Sequence, residues 1–224
     1  MSLDQALMST VDDSIPVLRL YGWKPPAVSI GYFQSLEQEV DVKKCEDLGI
    51  DVVRRITGGG AVLHEQELTY SFITKIFPNS IKESYKIICE PVVMCLNNLG
   101  FDAEFSPLND ITVKNKKVSG NAQTRRNNVL LQHGTILLDI NIDKMFSVLK
   151  VPSEKIKDKT IQDAKERVMG LKRSFHEVAS MLWQSFGQSF HAQVFRDSVK
   201  TDEFIEAEIM KKFKYRTHDW NYRR

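Results

Sequence analysis

Apolar and polar positions along this chain follow two periods, and the switches between them predict its elements. Leu3, Ala6 and Leu7 recur at helical spacing over residues 1–8, and Asp12-Asp13-Ser14-Ile15-Pro16 breaks that helix. Residues 17–21 alternate and 27–32 follow across Lys24-Pro25-Pro26, so the two read as a hairpin-like pair of strands. Residues 37–48 are helical, with Val40, Val42, Cys45 and Leu48 roughly on one side and Gly49 suited to the C-terminal cap. The β-branched run 50–53 predicts a buried strand, 61–63 a return strand ending at His64, and 68–74 another strand. Residues 80–99 form a long amphipathic helix that Gly100 ends and Pro91 is placed to kink or split. Short strands at 111–113 and 117–118 flank a Lys114-Asn115-Lys116 turn, and the second runs on through 120–123. After a turn at 125–128, residues 129–139 are a strand interrupted only by His133 and Gly134. A short helix spans 142–149 and stops at Pro152, while 153–173 is lysine-rich, lacks a strong period and reads as a mobile arm. Helices at 174–190 and 202–213 precede the closing Trp220-Asn221-Tyr222. The pattern predicts an α/β (α+β) protein: a mixed, largely antiparallel sheet with flanking helices set against one face.

Candidate chemistry begins at Arg54-Arg55-Ile56-Thr57-Gly58-Gly59-Gly60-Ala61-Val62-Leu63-His64, between two predicted strands. Glycine reaches φ > 0 without penalty and lets a ligand approach the main chain. Freed backbone N–H groups then form a concavity suited to an anion. Two arginines at the entry supply charge that does not titrate away. A tight hairpin explains the same glycines. Thr57 reads as a hydroxyl holding the turn, and a histidine such as His64 at a loop end is as readily structural as basic.

Composition narrows the classes. The chain has 224 residues, 42% hydrophobic and 27% charged, enough for one substantial packed domain. Its 31 Lys and Arg against 29 Asp and Glu leave +2, too balanced for a bulk nucleic-acid or membrane partner. Cys45, Cys89 and Cys95 lack metal-site spacing and cannot all pair with one another, which fits a reducing cytoplasm. The first residues lack the basic region of a signal peptide, and no apolar run reaches the ~20 residues of a membrane span.

Three blocks, RRITGGGAVLH at 54–64, NDITVKNKKVSGNAQ at 109–123 and LQHGTILL at 131–138, occur in this order and spacing. Together they resemble the lipoate–protein ligase and octanoyltransferase family, related to biotin–protein ligases, from Met1 to about Lys172. The resemblance implies a lipoate/biotin ligase-like catalytic domain over 1–173, including the basic arm 153–173. Residues 174–224 would be a helical segment packed on the same domain. It implies that Lys117 reaches the acyl carbonyl and acyl-phosphate linkage, where a cation stabilises developing negative charge; position alone makes Lys117 one of many solvated basic residues. Arg55 and the loop from Gly59 through Gly60, Ala61, Val62 and Leu63 would hold the nucleotide, Arg55 by a bidentate grip on phosphate. Arg54 would instead bridge to an acid between 37 and 47. His64, Asn109, Ser119, Gly120 and His133 would line the ligand site, and Tyr70 and Ser71 would wall the acyl pocket, with Gly134 letting substrate pass close to the backbone. Asp110 would bind Mg²⁺ or neutralise the target lysine.

Octanoyltransferases of this family use a cysteine nucleophile, in one branch about seven residues before the position of Asn109. Here that region reads Asp102-Ala103-Glu104-Phe105-Ser106, and Asn109-Asp110 follows as in the ATP-using ligases. The resemblance therefore implies the catalytic subunit of a lipoate–protein ligase. It would convert lipoate and ATP to lipoyl-AMP and modify a lysine of a 2-oxoacid dehydrogenase E2 lipoyl domain or a glycine-cleavage H protein. The chain leaves no room for the C-terminal domain of many single-chain ligases, so a separate accessory subunit is expected for activation. The alternatives are an octanoyl or lipoyl transferase acting from a carrier protein, and a non-catalytic carrier-binding homologue. The loop of a biotin ligase is absent.

Overall fold

A computed structural model describes residues 1–151 and 157–223. Its larger sheet has six strands in the order β1 (Val17–Tyr21), β5 (Glu67–Thr74), β9 (Val129–Leu137), β8 (Lys116–Arg126), β7 (Asp110–Val113) and β6 (Ala103–Ser106). Every neighbouring pair is antiparallel. A smaller sheet of three has β2 (Ala27–Ile30) between β3 (Asp51–Arg54), to which it is parallel, and β4 (Val62–His64), to which it is antiparallel. The fold is thus the expected mixed, largely antiparallel α/β class. The expected hairpin of β1 and β2 does not form. Every β2 residue is buried, so this strand takes a central place, while half-buried β1 takes an edge.

Side chains of β5 alternate between the two faces of the larger sheet. Leu68, Tyr70 and Phe72 enter one core with α4 (Ile81–Asn98) and α7 (Phe175–Ser189). The helix α4 runs through Pro91 without splitting, because Ile88, Val92, Cys95 and Leu96 are held in that core on both sides of it. On the opposite face α1 (Ser2–Thr10) packs Leu7 and Met8 against Ile73, Val129 and Leu131. Helices therefore cover both faces rather than one. The last long helix, α8 (Thr201–Met210), lies on α1 through Thr10 Oγ1 donating to Glu203 at 3.0 Å, and continues as a π-helical turn over Lys211–Tyr215.

The helix expected over 37–48 is two, α2 (Leu36–Glu39) and α3 (Val42–Asp47), parted where Val40 makes a β-bridge to Leu149 just after α5 (Ile142–Val148). The basic arm is also ordered differently from expectation. Residues 152–156 lie outside the described residues, but Lys157–Arg167 forms α6. The chain after it docks on the sheet, with Met169 N–H donating to Lys117 O at 3.0 Å and Leu171 N–H to Leu137 O at 2.9 Å. A last short helix, α9 (His218–Asn221), carries Trp220. No helix among the described residues is long and apolar enough to cross a membrane.

Candidate active site

Strict alternation would put Lys117 and Gly120 on opposite faces of β8. The pairing with β7 slips between Ile111 and Thr112, so that Ile111 faces Ser119 while Thr112 faces Lys117. This bulge leaves both Val118 and Ser119 on the buried, helix-covered side and returns Gly120 to the side of Lys117. The Lys117 side chain then lies across Gly120, where a Cβ would stand 2.9 Å from its Cε. Its Nζ reaches Asp110 Oδ1 at 2.8 Å, and Asp110 is the cross-strand partner of Gly120. Lys117, Asp110 and Gly120 are thus brought together on one face. Ser119, expected to line the site, is fully buried on the other face, so its side chain is part of the support.

The smaller sheet lies over the same face. Thr57 Oγ1 meets buried His133 Nε2 at 2.7 Å, and Trp23 Nε1 donates to Thr69 Oγ1 at 2.8 Å. Thr57 therefore fastens the glycine loop to the sheet rather than only closing a turn. His64 stacks on Trp23 and joins Ser29 Oγ through Nε2 and Glu67 Oε1 through Nδ1, each at 2.7 Å. Glu67 Oε2 is buried without a hydrogen-bond partner among the described residues, so the polar capacity of this face is not exhausted.

Arg55 is buried and holds the loop from behind. One terminal nitrogen donates to Ser29 O and Oγ at 3.1 and 3.0 Å, the other to Gly58 O and Gly60 O, both at 2.8 Å. Burial lowers its pKa to about 10. The expected direct grip on phosphate is replaced by a grip on carbonyls, because four of its five donors are already engaged. A planar trans peptide sets N–H opposite C=O. Carbonyls 58 and 60 turned toward Arg55 therefore turn the N–H groups of Gly59 and Ala61 away from it. Among the described residues nothing accepts from the N–H of Gly59, Gly60 or Ala61. Val62 and Leu63, expected to share in the nucleotide site, lie on β4, the edge strand that pairs with β2. Gly59 has φ +95°, and Gly31 backs it so closely that a Cβ on Gly31 would lie 1.9 Å from Gly59 O.

Arg54, expected to bridge to an acid of 37–47, is fully buried and donates to the carbonyls of Gly31, Tyr32, Gln34, Trp220 and Asn221. It joins the glycine loop's neighbour to the C-terminal helix. Beneath the sheet, Tyr70 Oη donates to Asn121 Oδ1 at 2.6 Å and accepts from Gln132 Nε2 at 2.7 Å, while Asn121 Nδ2 donates to Asn109 O at 2.9 Å. Asn109 Nδ2 returns a bond to Asn121 O. This network joins Tyr70 and Asn109, both expected at the ligand, to Asn121 and Gln132, and sets the strand entry that carries Asp110. Tyr70 accordingly faces Phe186 in the helix-side core, away from the expected acyl pocket, and Ser71 takes the cleft side.

The family model described as the lipoyl protein ligase A/B catalytic domain matches residues 1–194. The chain belongs to the lipoyl protein ligase A/B family. It is 33% identical to the octanoyltransferase LipM of Anoxybacillus flavithermus, covering 100% of this chain and 93% of that one. It is also similar to the bi-partite lipoate protein ligase of Thermoplasma acidophilum, described with its E2 lipoyl domain (33% identity, TM-score 0.93, 99% of this chain and 89% of that one). A lipoate-protein ligase A bound with ATP superposes with TM-score 0.88 at 31% identity, over 99% of this chain and 92% of that one. Ligases and transferases of the lipoyl protein ligase A/B family thus both resemble this chain, and the cysteines bear on the difference. Cys45, Cys89 and Cys95 are all buried. Burial raises their thiols, Cys45 to about 11 and the other two to about 12. Cys89 and Cys95 belong to the α4 core, across the sheet from Lys117, and Cys45 to the core of the smaller sheet.

Proposed function

We propose that this chain is the catalytic subunit of an ATP-dependent lipoate–protein ligase. The supporting observation is that the face carrying Lys117 and Asp110 has no thiol, while the three cysteines are buried in two cores with raised pKa. A nucleophilic cysteine needs an exposed site that lowers its pKa. Activation by ATP needs none. A lipoate carboxylate oxygen attacks the α-phosphorus, the bond to pyrophosphate breaks, and lipoyl-AMP forms. The neutral ε-amine of a carrier lysine then attacks the acyl carbon, AMP leaves with the bonding pair, and the amine's surplus proton passes to the departing phosphate or to water.

In this reading the N–H groups of Gly59 to Ala61 hold the nucleotide phosphate, with Arg55 fixing the loop from behind. Lys117 neutralises charge developing on the acyl oxygen and the phosphate. Asp110 positions Lys117 and receives the incoming ammonium. As a Mg²⁺ ligand Asp110 offers one carboxylate, half engaged by Lys117, and no group of three acidic, His or Cys residues that could hold a metal occurs among the described residues. That fits an ion brought by the triphosphate, which binds through one or two carboxylates plus phosphates; it would supply charge neutralisation on the phosphates. The acceptor would be a lipoyl carrier domain of E2 or an H protein. The likeness to a bi-partite ligase supports a separate accessory polypeptide for the activation step.

The second reading, octanoyl transfer from a carrier protein, is favoured by the LipM relatives. One pair of assays separates them. With ATP, lipoate and apo-carrier, a ligase yields lipoyl-carrier, with the accessory polypeptide raising the rate; a transferase yields none. After incubation with octanoyl-carrier, intact mass shows no acyl adduct on a ligase, and an added octanoyl group would overturn the proposal.

A further inference from the structure

Two sheets share the candidate site. Lys117 and Asp110 stand on the larger sheet, and the glycine loop lies between β3 and β4 of the smaller one. A ligand gripped at both ends needs these two bodies in one fixed relation. Three buried side chains cross between them in a single line. Glu67 Oε1, on β5 of the larger sheet, meets His64 Nδ1 at 2.7 Å. His64 Nε2, at the end of β4, meets Ser29 Oγ on β2 at 2.7 Å. Ser29 Oγ accepts from Arg55 at 3.0 Å, and Arg55 reaches on to the carbonyls of Gly58 and Gly60.

The donors run one way along this line. A carboxylate only accepts, so Nδ1 of His64 carries a proton, and in the neutral ring Nε2 then accepts. Ser29 gives its hydroxyl hydrogen to Nε2 and keeps its lone pairs for Arg55, which can only donate. The face of the histidine ring is fixed too, stacked on Trp23 with 4.3 Å between centroids. Trp23 donates to Thr69 Oγ1, and Thr69 donates to the same Glu67 oxygen. Charge points the same way. Arg55 is a buried cation whose partners among the described residues are carbonyls and one hydroxyl, and Glu67 is a buried carboxylate with its second oxygen unpartnered. Apolar side chains of similar volume would join the two sheets at less cost than two buried ions held apart. We infer that Glu67, His64 and Ser29 are positioning residues that aim the Arg55 fork, and so keep the N–H groups of Gly59 to Ala61 set for the ligand phosphate at a fixed span from Lys117. They act through Arg55 and not by contact with the phosphate. The inference rests on the ligase reading above, which makes that phosphate the one of an acyl-adenylate.

The test is a double-mutant cycle on the full chain, read by isothermal titration with a non-hydrolysable lipoyl-adenylate and with AMP. Thermal melts accompany each variant. Ser29→Ala and Glu67→Leu are each expected to weaken binding about tenfold. Combined with Arg55→Lys, either should add less than about twofold to the loss from Arg55→Lys alone, because all act through one fork. Glu67→Gln still accepts from His64 and Thr69, so its affinity should stay within about threefold of the native chain. In transfer assays the losses should appear in KM for lipoyl-AMP, with turnover at saturation retained. Losses that multiply with that of Arg55→Lys, or a folded Ser29→Ala of native affinity, overturn the inference alone. So does a Glu67→Gln as weak as Glu67→Leu, since Glu67 would then supply charge and not aim. Should Ser29→Ala melt too early to titrate, the two Glu67 variants decide by themselves. If the native chain binds neither probe, the ligase reading fails and the inference fails with it.

Discussion

The Nζ of Lys117 lies 2.8 Å from Asp110 Oδ1, directly over Gly120. Both ends of the pair are partly open to solvent, at 42 and 34%. An ion pair so exposed contributes at most about 1 kcal/mol to stability, so its placement across a bulge points to chemistry. Lys117→Ala is expected to slow transfer from supplied lipoyl-AMP by about 10²- to 10³-fold, with the unfolding midpoint nearly unchanged. Single-turnover rates and thermal melts of one preparation check both halves. A variant that melts early and transfers normally would assign the pair to the fold instead.

Two glycines in neighbouring strands should fail differently. An alanine Cβ at Gly120 would crowd the flexible end of Lys117, at 2.9 and 3.0 Å, and touch Asp110 Oδ1 at an ordinary 3.7 Å. At Gly134 it would meet Asn121 Oδ1 at 1.9 Å and Tyr70 Cε1 at 2.6 Å, inside a packed network. Gly120→Ala is therefore expected to keep its stability and lose about 10- to 100-fold in transfer rate, because the lysine tip is displaced. Gly134→Ala is expected to lose about 3 kcal/mol in urea unfolding from overpacking. Equal stability losses in the two variants would contradict the assignment of Gly120 to the cleft face.

The adjacent arginines also divide. Arg54→Met removes five hydrogen bonds to carbonyls and leaves those of Gln34, Trp220 and Asn221 without their donor, so stability should fall by about 3 kcal/mol, measured by denaturant titration. Arg55→Lys keeps a cation but loses the fork that holds the carbonyls of Ser29, Gly58 and Gly60. Its expected effect is on nucleotide affinity, on the order of tenfold weaker, with a smaller change in stability. Titration with ATP and with a non-hydrolysable acyl-adenylate reads this out; unchanged affinity would mean that the loop amides do not receive the phosphate.

The three sequence blocks, far apart along the chain, converge on one face of the larger sheet and the loop above it. Individual side chains were legible only where one strand face decided them. Lys117 and Gly120 share a face because of a bulge that no residue pattern announces, and Ser119 is carried to the other side by the same bulge. For Arg55 the visible feature in the sequence is charge beside glycines; that its donors turn inward depends on Ser29, 26 residues away. The pairing partners of β1 and β2 are likewise long-range choices. The sequence period of α6 was hidden by its many charges, and its docking on Lys117 O and Leu137 O is made by the segment after it, a backbone contact without a side-chain signature.

His133 gives the clearest pH prediction. Burial first, and then the nearby Arg55 charge, lower its pKa from 6.5 to about 3, so it stays neutral against Thr57 across the working range. The unfolded chain takes up a proton below 6.5 that the folded chain refuses. Stability is therefore complete above pH 6.5 and falls as pH drops toward 3, by up to about 1.4 kcal/mol per unit from this group. Asp4 adds a loss of the same sign only further down. Burial raises its pKa, but the Met1 ammonium and Arg19 outweigh that and bring it from 3.8 to about 2. Between pH 6.5 and 4.5 the two contributions separate. Urea unfolding across that window should show a steep slope for the native chain and a shallower one for His133→Gln, which keeps a polar contact for Thr57 without a titrating group. Parallel slopes would show that His133 takes up its proton in the folded state as easily as in the unfolded one, and that its burial against Thr57 does not exclude the charged form.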